Sequence, residues 1–94
     1  MNPDYSKLPE HMRAGAKLWI ENGIATGGFL CAVIENNLKE AFVCADDINL
    51  ARMRDIVGFF YDEAPGGCWG SPEKAKEWRK VGGWNGVVKK AKER

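Results

Sequence analysis

Side chains able to do chemistry are scarce in this chain, and they stand apart from one another. Three cysteines, Cys31, Cys44 and Cys68, and a single histidine, His11, make up the soft ligands and strong nucleophiles. Their spacings match no zinc pattern and contain no C-x-x-C pair, so no metal site is expected. An odd cysteine count fits free thiols in a reducing compartment better than a disulfide framework. Cys68 is the best nucleophile candidate, because it lies just before a helix start whose dipole lowers a thiol pKa. It has no visible base partner, and His11 falls on the first turn of an amphipathic helix. No catalytic residue and no cofactor are assigned, and the expected activity is binding without chemistry.

Binding chemistry has a better carrier in Ala64-Pro65-Gly66-Gly67-Cys68-Trp69-Gly70-Ser71-Pro72-Glu73, which packs three glycines and an indole into a turn that ends at a helix. Ser71 reads as the N-cap, Pro72 as N1, where its missing N–H is not needed, and Glu73 favours the positive end of the helix dipole. The bland account is that the glycines end one helix, Trp69 plugs the joint and Ser71 merely caps. Two further segments support a ligand. Thr26-Gly27-Gly28 is a second glycine-containing helix start, and Trp84-Asn85-Gly86 sets a second indole on a glycine-flanked turn. The expectation is that these turns share one end of a bundle. Phosphates would then take amides at Gly27, Gly28, Gly70 or Ser71, a base would stack on Trp69 or Trp84, and Lys74 or Arg79 would supply charge. The expected ligand-binding set is Thr26, Gly27, Gly28, Trp69, Gly70, Ser71, Lys74 and Trp84. The pattern is neither a Walker loop nor a Rossmann fingerprint.

The elements that must position these residues read as helices. Met12, Gly15, Ala16, Trp19 and Ile20 recur at helical spacing after Pro9-Glu10, and Asn22-Gly23 closes that helix. Leu30, Val33 or Ile34, Leu38, Ala41, Phe42 and Ala45 continue an apolar stripe through Asn36-Asn37, either as one helix or with a break at the asparagines. Asp46-Asp47 caps a third helix whose buried side is Ile48, Met53, Ile56, Val57, Phe60 and Tyr61. A fourth, shorter helix follows Ser71, with Ala75 and Trp78 inward, and stops at Gly82-Gly83. No segment alternates long enough to seed a sheet. The expected class is all-α, a compact bundle of about four short helices forming a single domain over residues 1–94. Residues 1–7 are expected as a flexible lead-in and residues 82–94 as a glycine-rich turn with a basic end that is either helical or frayed.

At 94 residues and 45% hydrophobic composition the chain can bury a modest core, and a domain this small gains from forming a homo-oligomer. Lys and Arg number 14 against 13 Asp and Glu, a net charge of +1. That balance argues against wholesale binding to nucleic acid or anionic lipid, and no helix-turn-helix reading helix is recognisable. The start lacks a signal-peptide pattern and the longest apolar run, Phe29 to Ile34, is too short to span a bilayer, so the expected location is cytoplasmic. A second function class is a protein-binding inhibitor or adaptor, because Trp19, Phe59, Tyr61 and Trp78 exceed what one thin core must absorb and aromatics favour interfaces.

The segments Leu8-Pro9-Glu10-His11-Met12-Arg13, Gly23-Ile24, Gly28-Phe29-Leu30, Ala45-Asp46-Asp47, Tyr61-Asp62-Glu63-Ala64-Pro65 and Cys68-Trp69-Gly70-Ser71-Pro72-Glu73 together resemble small accessory proteins of tailed bacteriophages and prophages. The likeness covers about residues 8 to 80. It implies a phage protein in a bacterial host's cytoplasm, and it assigns no functional residue. Joined to the glycine-and-indole turns, it makes the expected function sequestration of a nucleotide-derived host defence signal, such as a cyclic dinucleotide or a cyclic ADP-ribose relative.

Overall fold

A computed structural model describes residues 2–25 and 27–93. The described residues form α1 (Glu10–Asn22), α2 (Gly28–Ile34), α3 (Leu38–Cys44), α4 (Asp47–Ala51), α5 (Met53–Asp62), α6 (Pro72–Val81) and α7 (Gly83–Lys92). Short 3-10 turns lie at Tyr5–Lys7 and Gly66–Cys68, and there is no strand among these residues. The all-α expectation holds, with seven helices where about four were expected. No helix among the described residues is long and apolar enough to cross a membrane.

The extra helices come from breaks with identifiable causes. Asn36 takes a left-handed φ of 59°, which asparagine tolerates better than most residues. The Asn37 side chain then accepts from the Glu40 amide at 3.2 Å and caps α3, so of the two readings of this segment the break is the one found. Asp46 caps α4 through the Asn49 amide at 2.7 Å. The expected third helix divides at Arg52, whose guanidinium is held by Asp55 at 2.7 Å and by the Lys7 carbonyl at 2.9 Å. Of the two readings of the basic end, helical or frayed, the helical one is found, and residues 83–92 form α7 against α1.

One core lies where α1, α2, α5 and α6 meet. Trp19, Ile20 and Ala16 of α1 are fully buried with Leu8, Ile56, Phe60 and Cys68. The Trp19 indole donates to the Cys68 carbonyl at 2.8 Å, and the Trp78 indole donates to the Trp19 carbonyl at 2.9 Å. Each ring thus enters the core with its N–H satisfied, the condition for burying an indole cheaply. Trp19, Phe59 and Trp78, expected to be in excess of the core, are core residues. Tyr61, expected inward, is 80% exposed.

Residues 2–7, expected to be flexible, are instead pinned. Glu63 accepts from the Asp4 amide at 2.9 Å and from Lys7 Nζ at 2.7 Å. The Lys7 ammonium and the Asp4 N–H hold the Glu63 carboxyl below its usual range. A depressed carboxylate stabilises above its unfolded pKa and loses that contribution as pH falls through the lower folded value. Protection of the Tyr5–Lys7 amides, measured relative to their intrinsic exchange rates at each pH, is therefore expected to fall as acidification protonates the Glu63 carboxylate, with no global unfolding, since the pair is exposed. Glu63→Gln should give the same local release at neutral pH. Unchanged exchange in both experiments would mean that the turn is held by its packing alone.

Candidate functional site

Of the residues expected to bind a ligand, Gly27 with Gly28, Trp69, and Trp84 line three separate clefts. Gly27 and Gly28 lie at the start of α2, on the rim of a cleft with His11, Met12 and Asp46. Trp69 and Gly70 lie at the other end of α2, where the Gly70 amide donates to the Ile34 carbonyl at 2.8 Å. Seven helical residues separate those ends, about 10 Å. Trp84 lines a third cleft, with Tyr5, Lys17, Glu21 and Asn85. Thr26 lies outside the described residues. The expectation of one shared pole is corrected by this geometry, because the loop that carries Trp69 docks on the C-terminal end of α2 and not beside its start.

The local reading of the Trp69 loop holds in its capping. The Ser71 hydroxyl accepts from the Lys74 amide at 3.1 Å and Pro72 opens α6. The Ile34 carbonyl occupies the Gly70 amide, so that donor is not free for phosphate. The Lys74 side chain lies along the Gly70 backbone. Arg79, expected to supply charge to a ligand, lies over the Trp19 ring at 5.7 Å and covers the core.

Trp69 is half-buried, tilted against Phe60 with ring centroids 5.8 Å apart. It forms one wall of a groove with Leu38, Ala41, Met53 and Val57, and the groove encloses about 110 Å³. That volume is well below the roughly 300–1,000 Å³ of small-molecule sites. It suits one apolar side chain. Beside it, α3 buries only Ala41 and leaves Leu38 74%, Phe42 60% and Val43 71% exposed. The apolar stripe expected to face the core through Leu38 and Phe42 faces outward, because the main contact of α3 is with α2, through the face that carries Ala41.

Cys68 is fully buried, and burial pushes its thiol up to about 12. A nucleophile must be reachable and ionised, and this thiol is neither at neutral pH. The exposed Cys44 donates to Glu40 Oε1 at 3.3 Å, and that bond raises its pKa. No group of three or more His, Cys, Asp or Glu among the described residues converges as a metal site would.

The α3 face and the buried Asn49 were both missed by sequence reasoning. Asn49 did carry a signal, since it shares a helical face with Met53, Ile56 and Phe60 by spacing. The exposure of α3 carried none, because its stripe looks like any core stripe. No protein-family model, curated protein or solved structure matches this chain.

Proposed function

We propose that this chain is a non-enzymatic binding protein that docks another protein through α3, acting as a bacteriophage accessory protein in the cytoplasm of the bacterial host. The observation that carries the reading is the apolar ridge Leu38, Phe42 and Val43 beside the small groove walled by Trp69. Exposed apolar surface of this kind marks interaction sites, and a groove of side-chain size next to a ridge is how interface anchors are seated. The host or phage origin of the partner rests on the resemblance to phage accessory proteins. Ridge and groove lie side by side on one face, so a second copy of the chain fits as the first occupant, each ridge entering the other's groove in a two-fold contact.

Phe42→Asp tests this. At a half-exposed position the change should move stability by no more than about 0.5 kcal/mol, while weakening association by about 2 kcal/mol or more if Phe42 is an anchor. Light scattering on the wild type should show an oligomer that the variant reduces to monomers. A monomeric wild type would move the occupant to a host or phage protein, to be recovered from infected cells by the wild type and not by Phe42→Asp. Equal recovery with both would remove the α3 face from the function.

A second reading, capture of a nucleotide-derived small molecule, is favoured by one observation: the cleft at Gly27 and Gly28 contains the buried Asn49, whose Oδ1 has no hydrogen-bond partner among the described residues. Calorimetry against a panel of cyclic dinucleotides and ADP-ribose derivatives tests it, and absence of heat with every member ends it.

A further inference from the structure

We infer that α6 and α7 together form a basic surface that binds the phosphate backbone of a nucleic-acid duplex without reading its sequence, independently of the α3 face. The net charge of +1 conceals a division within the chain: residues 1–71 carry six Lys and Arg against ten Asp and Glu, whereas residues 72–94 carry eight against three. The division falls at the start of α6. Folding keeps the excess charge at the surface, because Lys74, Lys76, Lys80, Lys89, Lys90 and Lys92 are all exposed. Among the described residues none of their ammonium groups makes an ion pair. Cations earlier in the chain serve the fold instead: Lys7 pairs with Glu63, Arg52 pairs with Asp55, and Arg13 donates to the Leu8 and Ser6 carbonyls. Helix ends do not account for the six lysines either. Those in the last turn of α7 complement the dipole there, but Lys74 sits in the first turn of α6, where the dipole disfavours a cation. The close approach of Gly83 to the end of α1 holds α7 in place, so its lysines stand on a packed helix and not on a loose tail.

The make-up of this surface selects the partner. None of the large exposed apolar residues lies on α6 or α7. A docked protein needs an apolar or aromatic anchor at the centre of its contact, where Lys is depleted, and a helix lying on a bilayer needs an apolar face to insert. Stacking of single-stranded bases needs exposed aromatic plates, whereas Trp78 is buried and Trp84 packs half-buried against the core. What α6 and α7 offer is a set of point charges, the form in which Lys meets phosphate. Each helix has ten residues and is about 15 Å long, and that length of duplex presents about nine phosphates, enough to engage all six lysines. Backbone contacts of this kind carry no sequence information.

Fluorescence anisotropy of the whole chain with short labelled DNA duplexes of unrelated sequence tests the assignment. All should bind alike, and raising the salt from about 50 to about 100 mM should weaken binding about 10- to 40-fold for roughly four to six phosphate contacts. Two triple variants locate the surface, each removing three positive charges from exposed positions that make no ion pair. Lys76→Gln with Lys80→Gln and Lys89→Gln should weaken binding at least about tenfold and reduce the slope of log affinity against log salt by about 2.7. Lys17→Gln with Lys39→Gln and Arg54→Gln, on α1, α3 and α5, should leave that slope unchanged. Thermal melts of both variants should match the wild type, since none of the six side chains holds the fold. Equal losses in the two variants would assign binding to the charge of the whole molecule and overturn the inference, as would the absence of duplex binding at about 50 mM salt. Poly-glutamate, single-stranded DNA or vesicles containing phosphatidylserine bound more tightly than the duplex would also overturn it, each by naming a different partner for the same lysines.

Discussion

Trp19→Ala is expected to lower the melting temperature by about 12–40 °C, from a cost of about 3–5 kcal/mol at roughly 4–8 °C per kcal/mol for a domain this size. Trp19 is the largest fully buried side chain. Its indole donates to the Cys68 carbonyl and its own carbonyl accepts from Trp78, so α1, the Gly66–Cys68 turn and α6 meet at this residue. Truncation opens a cavity at that junction and leaves the Cys68 carbonyl without its donor. Trp19→Phe separates the two effects. It keeps most of the apolar area and loses the indole N–H, which should cost about 1–3 kcal/mol. Melts followed by circular dichroism measure both variants. A loss below about 1 kcal/mol for Trp19→Ala would show that the three segments do not depend on the ring.

Gly83→Ala should cost about 2–5 kcal/mol, the sum of about 1–2 for a left-handed backbone at a residue with a Cβ and about 1–3 for overpacking. Gly83 has a φ of 71°, and a Cβ there would stand 2.5 Å from the backbone nitrogens of both Asn22 and Gly23. Those neighbours are main chain, so no rotamer change relieves the clash. The contact is reciprocal, since a Cβ at Gly23 would lie 2.9 Å from the Gly83 backbone nitrogen. Backbone against backbone is what lets α7 lie along the end of α1. Gly82→Ala serves as the comparison. It has a similar φ of 87° with its nearest contact at 3.8 Å, so it should lose only the conformational part, about 1–2 kcal/mol. Equal losses in urea titrations of the two variants would mean that the close approach contributes nothing.

Much of the helical content was legible in the sequence because caps and stops act within one turn. Pro9-Glu10, Asp46, Ser71-Pro72 and the glycines at 23 and 82 each satisfy or end a helix through neighbours three or four residues away. The break at Arg52 was not legible. Its arginine is held by the carbonyl of Lys7, 45 residues distant, and no glycine or proline marks it.

The candidate site divides in the same way. The capping roles of Ser71 and Asp46, and the glycine start of α2, belonged to the sequence by itself, together with the all-helical class, because local hydrogen bonding and the 3.6-residue period decide them. Whether Trp69 and Gly28 share a pole, whether the Leu38–Phe42 stripe is covered, and whether Asn49 finds a partner were decided only by the tertiary structure. Those outcomes depend on which surfaces distant segments bring together. The Trp69 loop meets the far end of α2, α3 meets α2 through the face that carries Ala41, and α4 buries an amide beside α1. The period of a stripe says that one face is apolar; only the packing says whether another part of the chain covers it.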